Sequence, residues 1–559
     1  MCKLKKNCVK PLLSLALTSL CLAGSSTIYA APYDDNAGLE LRRQREEMER
    51  ERIRQQMEED KQNRENRVKD ERQTENQAPE SDVKFLLKNI TVDESAIISA
   101  AEVEKITKPY IGKEVTLADL NEIVNKLNEI YTAGGYATCK AYIPPQTIEN
   151  GVVHIALMEG RTGEVNIKGN SHTRESYIRD RLPLKEGEIA SLNKLNERLY
   201  RFNATNDAPL RISMKAGKAP GTTDYEIVMQ EPKNDIFTFF VDNSGSINTG
   251  AWREGFYYTN RSLTKRRDNF SASFSRSNGL KSGNFSYAVP MGNEGGKLIL
   301  DYSSSGNKVT EQSMQDLRMR GHAWSMGASY LQPLITNPTT RTEARFGVSR
   351  QHSKTDMQDG AVAWLDNTTD NAYLSFAMTS YGNGNAFYHR HYYGFGHTDA
   401  YQANTGNYAG KTFGLYRLNS LYQQSWSNGH QFSGRLDFQW SSTKNLPSSE
   451  QFFLGGANSV RGYKPDLFGG DNGLTLGLEY AVPVDRARTV SVFGFFDYGC
   501  LIGDTAYNDT DMASLGFGVK ASIKRNVYMN LTFGFPLKRD LNDLDVPGSR
   551  VHFSMNAQL

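Results

Sequence analysis

Arg461 and Asp497 are the two residues in this chain whose types and settings invite chemistry. Arg461 lies in Val460-Arg461-Gly462-Tyr463, within a glycine-rich stretch, and Asp497 in Phe495-Phe496-Asp497-Tyr498-Gly499. A guanidinium offers a planar fork of donors to a carboxylate, so the two can form a bidentate, charge-assisted pair that pins one segment to another. That chemistry holds; it does not make or break bonds. His389 and His391 would share a strand face, with His397 further along. No Cys or carboxylate joins them at a ligand spacing, and a polar, water-exposed face accounts for them, so no metal or other cofactor is expected. A Gly-x-Ser-x-Gly elbow, a phosphate loop and a paired-carboxylate set are all lacking, and no catalytic residue is assigned.

The elements that must position Arg461 and Asp497 read as strands. Successive strand residues point to opposite faces, so Ser491, Phe493, Phe495, Asp497 and Gly499 share one face and Val490, Val492, Phe496 and Tyr498 the other. The next run alternates more plainly, with Leu515, Phe517, Val519, Ala521 and Ile523 against Ser514, Gly516, Gly518, Lys520 and Ser522. An apolar outside with a small or polar inside marks a transmembrane β-barrel. Asp497 then faces a wet lumen that the Arg461 loop, residues 455–472, can reach. Leu474, Leu476, Leu478, Tyr480 and Val482 repeat the pattern, as do Val527, Met529, Leu531, Phe533 and Phe535. The chain ends on it: Val551, Phe553, Met555, Ala557 and Leu559 face lipid, and Arg550, His552, Ser554, Asn556 and Gln558 the lumen. Comparable runs extend back to residue 235, and at about ten residues per strand an even count of about 16 antiparallel strands is expected.

Upstream, one α+β unit occurs twice, over 83–160 and 161–234. The first has a strand at 83–92, a helix near 96–106, then Thr116-Leu117-Ala118-Asp119 as a capping box. Leu117, Leu120, Val124, Leu127 and Tyr131 follow at helical spacing, and strands near 137–143 and 152–158 close the unit. The second repeats the order with a strand at 163–168, helices at 174–182 and from Leu192, and strands near 210–215 and 225–230. Residues 31–72 are dense in Arg, Glu and Gln, with i,i+4 pairs such as Glu46 and Arg50 that support a helix. Residues 73–82 read as a flexible linker. The composition of 31–72 fits a solvated arm as well as a helix inside a water-filled lumen.

Composition narrows the class. At 559 residues the chain holds several domains. Its net charge of +2 gives no reason to expect a nucleic-acid partner. A hydrophobic fraction of 38% and a mean hydropathy of −0.57 exclude a bundle of membrane helices, whereas a barrel escapes such averages because only alternate residues meet lipid. Lys3, Lys5, Lys6 and Lys10 precede an apolar run at 12–23, a secretory signal over 1–30. Thr18-Ser19-Leu20 lacks the small residue expected before a lipidated Cys21. Cys139 and Cys500 fall in different domains, so no disulfide is expected between them.

These features together resemble the TpsB-type transporters of two-partner secretion (the haemolysin secretion/activation and haemagglutinin transporter family), within the superfamily of outer-membrane barrels that carry POTRA domains. The Val-Arg-Gly-Tyr run, the Phe-x-Asp-x-Gly strand and Gly135-Tyr136 through Ala141-Tyr142-Ile143-Pro144-Pro145-Gln146 carry the likeness. It implies that the loop folds into the barrel and that Arg461 contacts Asp497. It also implies that 31–72 plugs the lumen as a helix, and that 83–160 and 161–234 are POTRA domains in the periplasm of a Gram-negative cell. Val551, Phe553, Met555 and Leu559 resemble the insertion strand read by the barrel assembly machinery, with Leu where many such barrels end in Phe. The implied function is to carry an unfolded exoprotein, a TpsA-type haemolysin, adhesin or toxin, across an outer membrane whose lipid surrounds the barrel. A barrel-inserting factor and a passive porin are the alternatives.

Overall fold

The computed structural model describes residues 35–63, 68–70, 83–402, 407–503, 510–524, 526–541 and 544–559. The expected signal at 1–30 and linker at 73–82 lie outside the described residues. The chain forms two units, one built from the barrel and the first part of the N-terminal helix and the other from 59–232 with a short turn.

Sixteen strands among the described residues close into one antiparallel barrel, the first, Asp235–Asp242, pairing with the last, Arg550–Gln558. Alternation sets its two faces. Leu515 and Phe517 are exposed on the outside, and Ser514 is buried inside. Phe285, Leu300, Tyr302, Phe346 and Phe395 likewise lie exposed on the outer wall, an apolar band too extensive for a water-facing surface. The strands from Arg320–Thr336 to Asn407–Ser425 run to 17–20 residues, well beyond the ten expected of each. The surplus is polar on its outer side, where Arg350 grips Asp370 at 2.6 and 2.7 Å, so these strands continue past the apolar band into water.

The strand Val490–Leu501 lies between Gly473–Pro483 and Asp511–Lys524, with Asp497 opposite Gly477 on one side and Ser514 on the other. Two small neighbours leave room above the carboxylate. Phe493 and Phe495 lie opposite Gly518 and Gly516, so their rings lie flat along the inner wall.

His389 and His391 do not face the water-filled side. Arg390 between them points inward to Glu49, and strict alternation turns both histidines outward, ring to ring at 5.5 Å, with His391 Nδ1 2.8 Å from the Tyr416 hydroxyl. They belong to an aromatic belt rather than to a lumen lining.

The helix Asn36–Asn63 runs inside the barrel over its first part, through Glu58. Asp35 starts it, accepting the Gly38 amide at 2.8 Å as an N-cap. Leu41 packs with Ala37 on Ala323, and Ile53 with Met57 on Ala377 and Tyr388. Other contacts are polar. Arg45 reaches Gln351 at 2.8 Å and Glu450 at 3.2 Å, Arg52 reaches Glu343 at 3.0 Å, and Arg253 binds Glu47 at 3.1 Å.

In the other unit, helix Ala100–Thr107 starts later than 96 because Ser99 and Glu102 form a capping box there. The Thr116–Asp119 box starts Leu117–Ala133, whose Leu120, Val124, Leu127 and Tyr131 enter a core with Ile123, Val153 and Ile155. The second repeat has helices Glu175–Arg179, shorter than 174–182, and Leu192–Thr205. Its sheet gains a strand from outside the repeat: Lys69–Asp70 pairs in parallel with Ser213 and Met214 on the edge strand Leu210–Ala216. The helical segment is thus shorter than 31–72, because the Val68 amide and the next two residues bond to this domain instead.

Candidate functional site

The loop between strands Gln431–Ser441 and Gly473–Pro483 folds back into the barrel. Its arms Phe452–Leu454 and Phe468–Gly470 pair antiparallel, and Leu454, Val460, Tyr463, Leu467 and Phe468 share a small apolar core with Leu501 and Met512 of the wall. The loop is therefore a packed body, not a tether.

At its tip the Arg461 guanidinium donates to Asp497 through Nε at 2.8 Å and Nη2 at 2.9 Å, and its main-chain amide adds a third bond at 3.0 Å. Nη1 donates to Glu479 at 2.6 Å. The guanidinium stacks 3.6 Å from the Phe495 ring centre, an arrangement in which the ring's electron-rich face attracts the cation. Glu479 also pairs with Lys520. On the far side, His552 Nε2 lies 2.7 Å from the Arg461 carbonyl, so three barrel strands hold one residue.

The neighbours of Arg461 have separate reasons. Tyr463 is fully buried, its hydroxyl between the carbonyls of Ala513 at 3.0 Å and Lys538 at 2.8 Å. Val460 is fully buried as well. A Cβ on Gly462 would come within 2.8 Å of both Pro536 N and Ser514 Cβ, and one on Gly499 within 2.8 Å of Leu454 and 2.9 Å of Val460. Close approach of loop to wall thus demands glycine on both sides.

The structure brings Val460, Arg461, Gly462, Tyr463, Phe495, Asp497 and Gly499 into one site. It places Val551, Phe553, Met555 and Leu559 elsewhere, on and just past the closing strand, with Met555 opposite Val241 of the first. Sequence reading did not single out Glu479, His552 or Asp466. Asp466 accepts Arg42 Nη2 at 3.0 Å and Arg43 Nε at 2.6 Å, so the loop grips the inner helix as well as the wall. Its backbone sits at φ +48°, a left-handed conformation uncommon outside glycine. No residue of this arrangement forms a nucleophile–base pair, and no His/Cys/Asp/Glu cluster of metal-site type occurs among the described residues. What the geometry does is fasten a helix and a loop inside a polar lumen.

A family model described as haemolysin secretion/activation protein ShlB/FhaC/HecB matches residues 221–521. A ShlB-type POTRA domain matches 85–160, and a second POTRA model, the surface antigen variable number repeat, matches 161–204. The heme/hemopexin transporter protein HuxB of Haemophilus influenzae is 25% identical over 504 residues, covering 83% of this chain and 86% of HuxB. The outer membrane transporter CdiB of Escherichia coli is 21% identical over 477 residues, covering 81% of this chain and 79% of CdiB. The solved structure of CdiB from Escherichia coli superposes with a TM-score of 0.68 at 19% identity, over 96% of this chain and 100% of that one.

Proposed function

We propose, for a chain that belongs to the haemolysin secretion/activation protein ShlB/FhaC/HecB family, that its barrel carries an unfolded exoprotein from the periplasm to the cell surface. The family consists of outer-membrane transporters, and this chain is an outer-membrane barrel of a Gram-negative cell with its POTRA domains in the periplasm.

One observation carries it. The lumen is occupied by a helix held mainly by charged side chains, each of which water could solvate on release. Ion pairs of this kind hold firmly while desolvated and weaken once hydrated. A permanent wall would instead bury an apolar stripe. The Asp466 contacts tie this helix to the Arg461 loop, so moving one disturbs the other. An extended client would first add to a free strand edge of the POTRA sheets, where main-chain bonds give affinity without sequence demands. It would then pass the displaced helix and fold outside, without nucleotide hydrolysis. Arg461 and Asp497 act here as positioning residues for the loop.

The test compares large proteins in the culture medium and periplasm of cells with and without this chain. Loss of one large exoprotein from the medium, other outer-membrane barrels staying at normal levels, is the expected result and identifies the partner. Depleted barrels with unchanged secretion would overturn the reading in favour of a barrel-inserting factor, and no change in either in favour of a porin.

A further inference from the structure

The transport reading uses the inside of the barrel; its outer face carries a separate feature. Beside the closing seam between Asp235–Asp242 and Arg550–Gln558 lies an open groove of about 440 Å³, lined by Phe239, Val241, Phe256, Phe274, Met555 and Ala557. Register puts them together. Val241 is opposite Met555 and Phe239 opposite Ala557, while Phe256 stands between Phe239 and Phe274. The three phenylalanines remain 47%, 36% and 38% exposed on the membrane-facing side.

The upper rim of the groove is polar. Arg276, the last residue of its strand, donates through Nε to Glu254 at 2.6 Å. Directly opposite Arg276 on the next strand is Lys281, which has no carboxylate partner among the described residues. Two cations opposed on one sheet face repel. Next to Lys281 comes Gly306, where a Cβ would meet nothing within 4 Å, so open space adjoins the ammonium. Lys308 and Arg320 form a second opposed pair of cations one step along, with Asp359 shared by Arg320 and Arg318. The chain enters the barrel from its periplasmic domains at Asp235, so the ends of these strands at Arg276 and Lys281 face the cell exterior. The cations therefore stand on the outer-leaflet side of an apolar groove.

We propose that this groove binds a phosphorylated acyl glycolipid of the outer leaflet, one acyl chain lying along Phe239, Phe256, Phe274 and Met555 and a phosphate seated between Arg276 and Lys281. Glu254, which also lines the groove, engages Nε and Nη2 of Arg276, so the phosphate is held by the remaining guanidinium nitrogen and the Lys281 ammonium and offsets the repulsion between the two cations. The acyl chain covers rings that the fold leaves bare at the seam, where five ladder pairs, from Thr238 with Gln558 to Asp242 with Ser554, join the first strand to the last. The inference rests on the outer-membrane location and not on what the barrel transports.

Native mass spectrometry of the full chain in detergent, with bisphosphorylated lipid A as probe, tests it. The unaltered chain should retain lipid A about tenfold better than the same lipid stripped of its phosphates, given the pull of two cations. Arg276→Gln combined with Lys281→Gln should show the same loss. Arg350→Gln, on the outer face away from the groove, should bind as the unaltered chain does. Equal retention of phosphorylated and dephosphorylated lipid would overturn the proposal, and that comparison needs no variant to fold. Unchanged binding by the folded double variant, an equal loss in Arg350→Gln, or displacement by millimolar inorganic phosphate alone would overturn it as well.

Discussion

The Asp497 carboxylate takes three hydrogen bonds from the single residue Arg461, two from its guanidinium and one from its main-chain amide. With Asp497 only 1% exposed, removing the partner leaves a buried charge uncompensated, which costs about 3 kcal/mol or more. Arg461→Ala is therefore expected to undock the loop while the sixteen-strand wall still closes. Export should fall severely, and the unboiled protein should still migrate as a folded barrel in a gel. Arg461→Lys should recover little, because an ammonium cannot reproduce the fork or the stack on Phe495. Normal export by Arg461→Ala would remove the loop pair from the mechanism.

Gly462→Ala should act like Arg461→Ala without touching a charge. The added methyl meets backbone of Pro536 and the Ser514 side chain at 2.8 Å, and neither can swing aside as a flexible chain end would. Overpacking of this kind costs about 1–3 kcal/mol. Limited proteolysis of the loop on intact cells should speed up, and unchanged cleavage would show that the wall yields.

Much of this was legible in the residues, and for definite reasons. Leu515 beside Gly516 and Phe517 beside Gly518 announce a wall with lipid on one side and close packing on the other. Arg461 and Asp497 stand in two short motifs on recognisable elements. Glu479 is one polar lumen residue among many, and only the fold turns it toward Arg461. The contact between Asp466 and Arg42 joins residues 424 apart, which no local pattern reports. His389 and His391 mislead because a barrel's outer belt tolerates polar rings, so polarity alone does not give the face. Lys69–Asp70 has no strand propensity; an available sheet edge makes it a strand.

Acid should loosen the first POTRA domain at Glu159. Burial pushes its carboxyl up, but the Ser95 hydroxyl, the Ala96 amide and the Tyr131 hydroxyl outweigh burial and hold it below the ordinary value near 4.5. A depressed folded-state pKa contributes stability that is present above the unfolded value and is lost as pH falls through the folded one. Hydrogen exchange of the full chain around 93–99 and 152–160 should thus quicken from pH 4.5 downward, after correction for intrinsic rates. Glu159→Gln should exchange faster at neutral pH and show a smaller change with acid. An undiminished acid response in that variant would mean that other groups carry it.

Proline at position 69 should free the edge strand Leu210–Ala216. Proline lacks the N–H that a ladder uses, and only two residues pair there. Amides of 210–216 facing that edge should exchange faster, and a client that adds to the same edge should bind the Lys69→Pro chain more tightly. Faster exchange without tighter binding would place the client on another edge.

Asp466→Asn isolates one of the ties between loop and helix, the other being Glu450 with Arg45. Asn tolerates the left-handed backbone that Asp466 adopts, so the loop should keep its path and its grip on Asp497. What disappears is the negative charge facing Arg42 and Arg43, worth about 1.5 kcal/mol or more for bonds to charged groups. That loss raises the share of barrels with the helix displaced by about tenfold. Planar-bilayer recordings of the purified protein should accordingly show more frequent openings, while Arg461→Ala, which frees the loop from the wall, should alter the noise within each opening as well. If Asp466→Asn opens no more often than the unaltered protein, the other contacts of the helix, Arg45 with Gln351 and Glu450, Glu49 with Arg390 and Arg52 with Glu343, suffice to hold it, and the Asp466 tie has no part in keeping it in place.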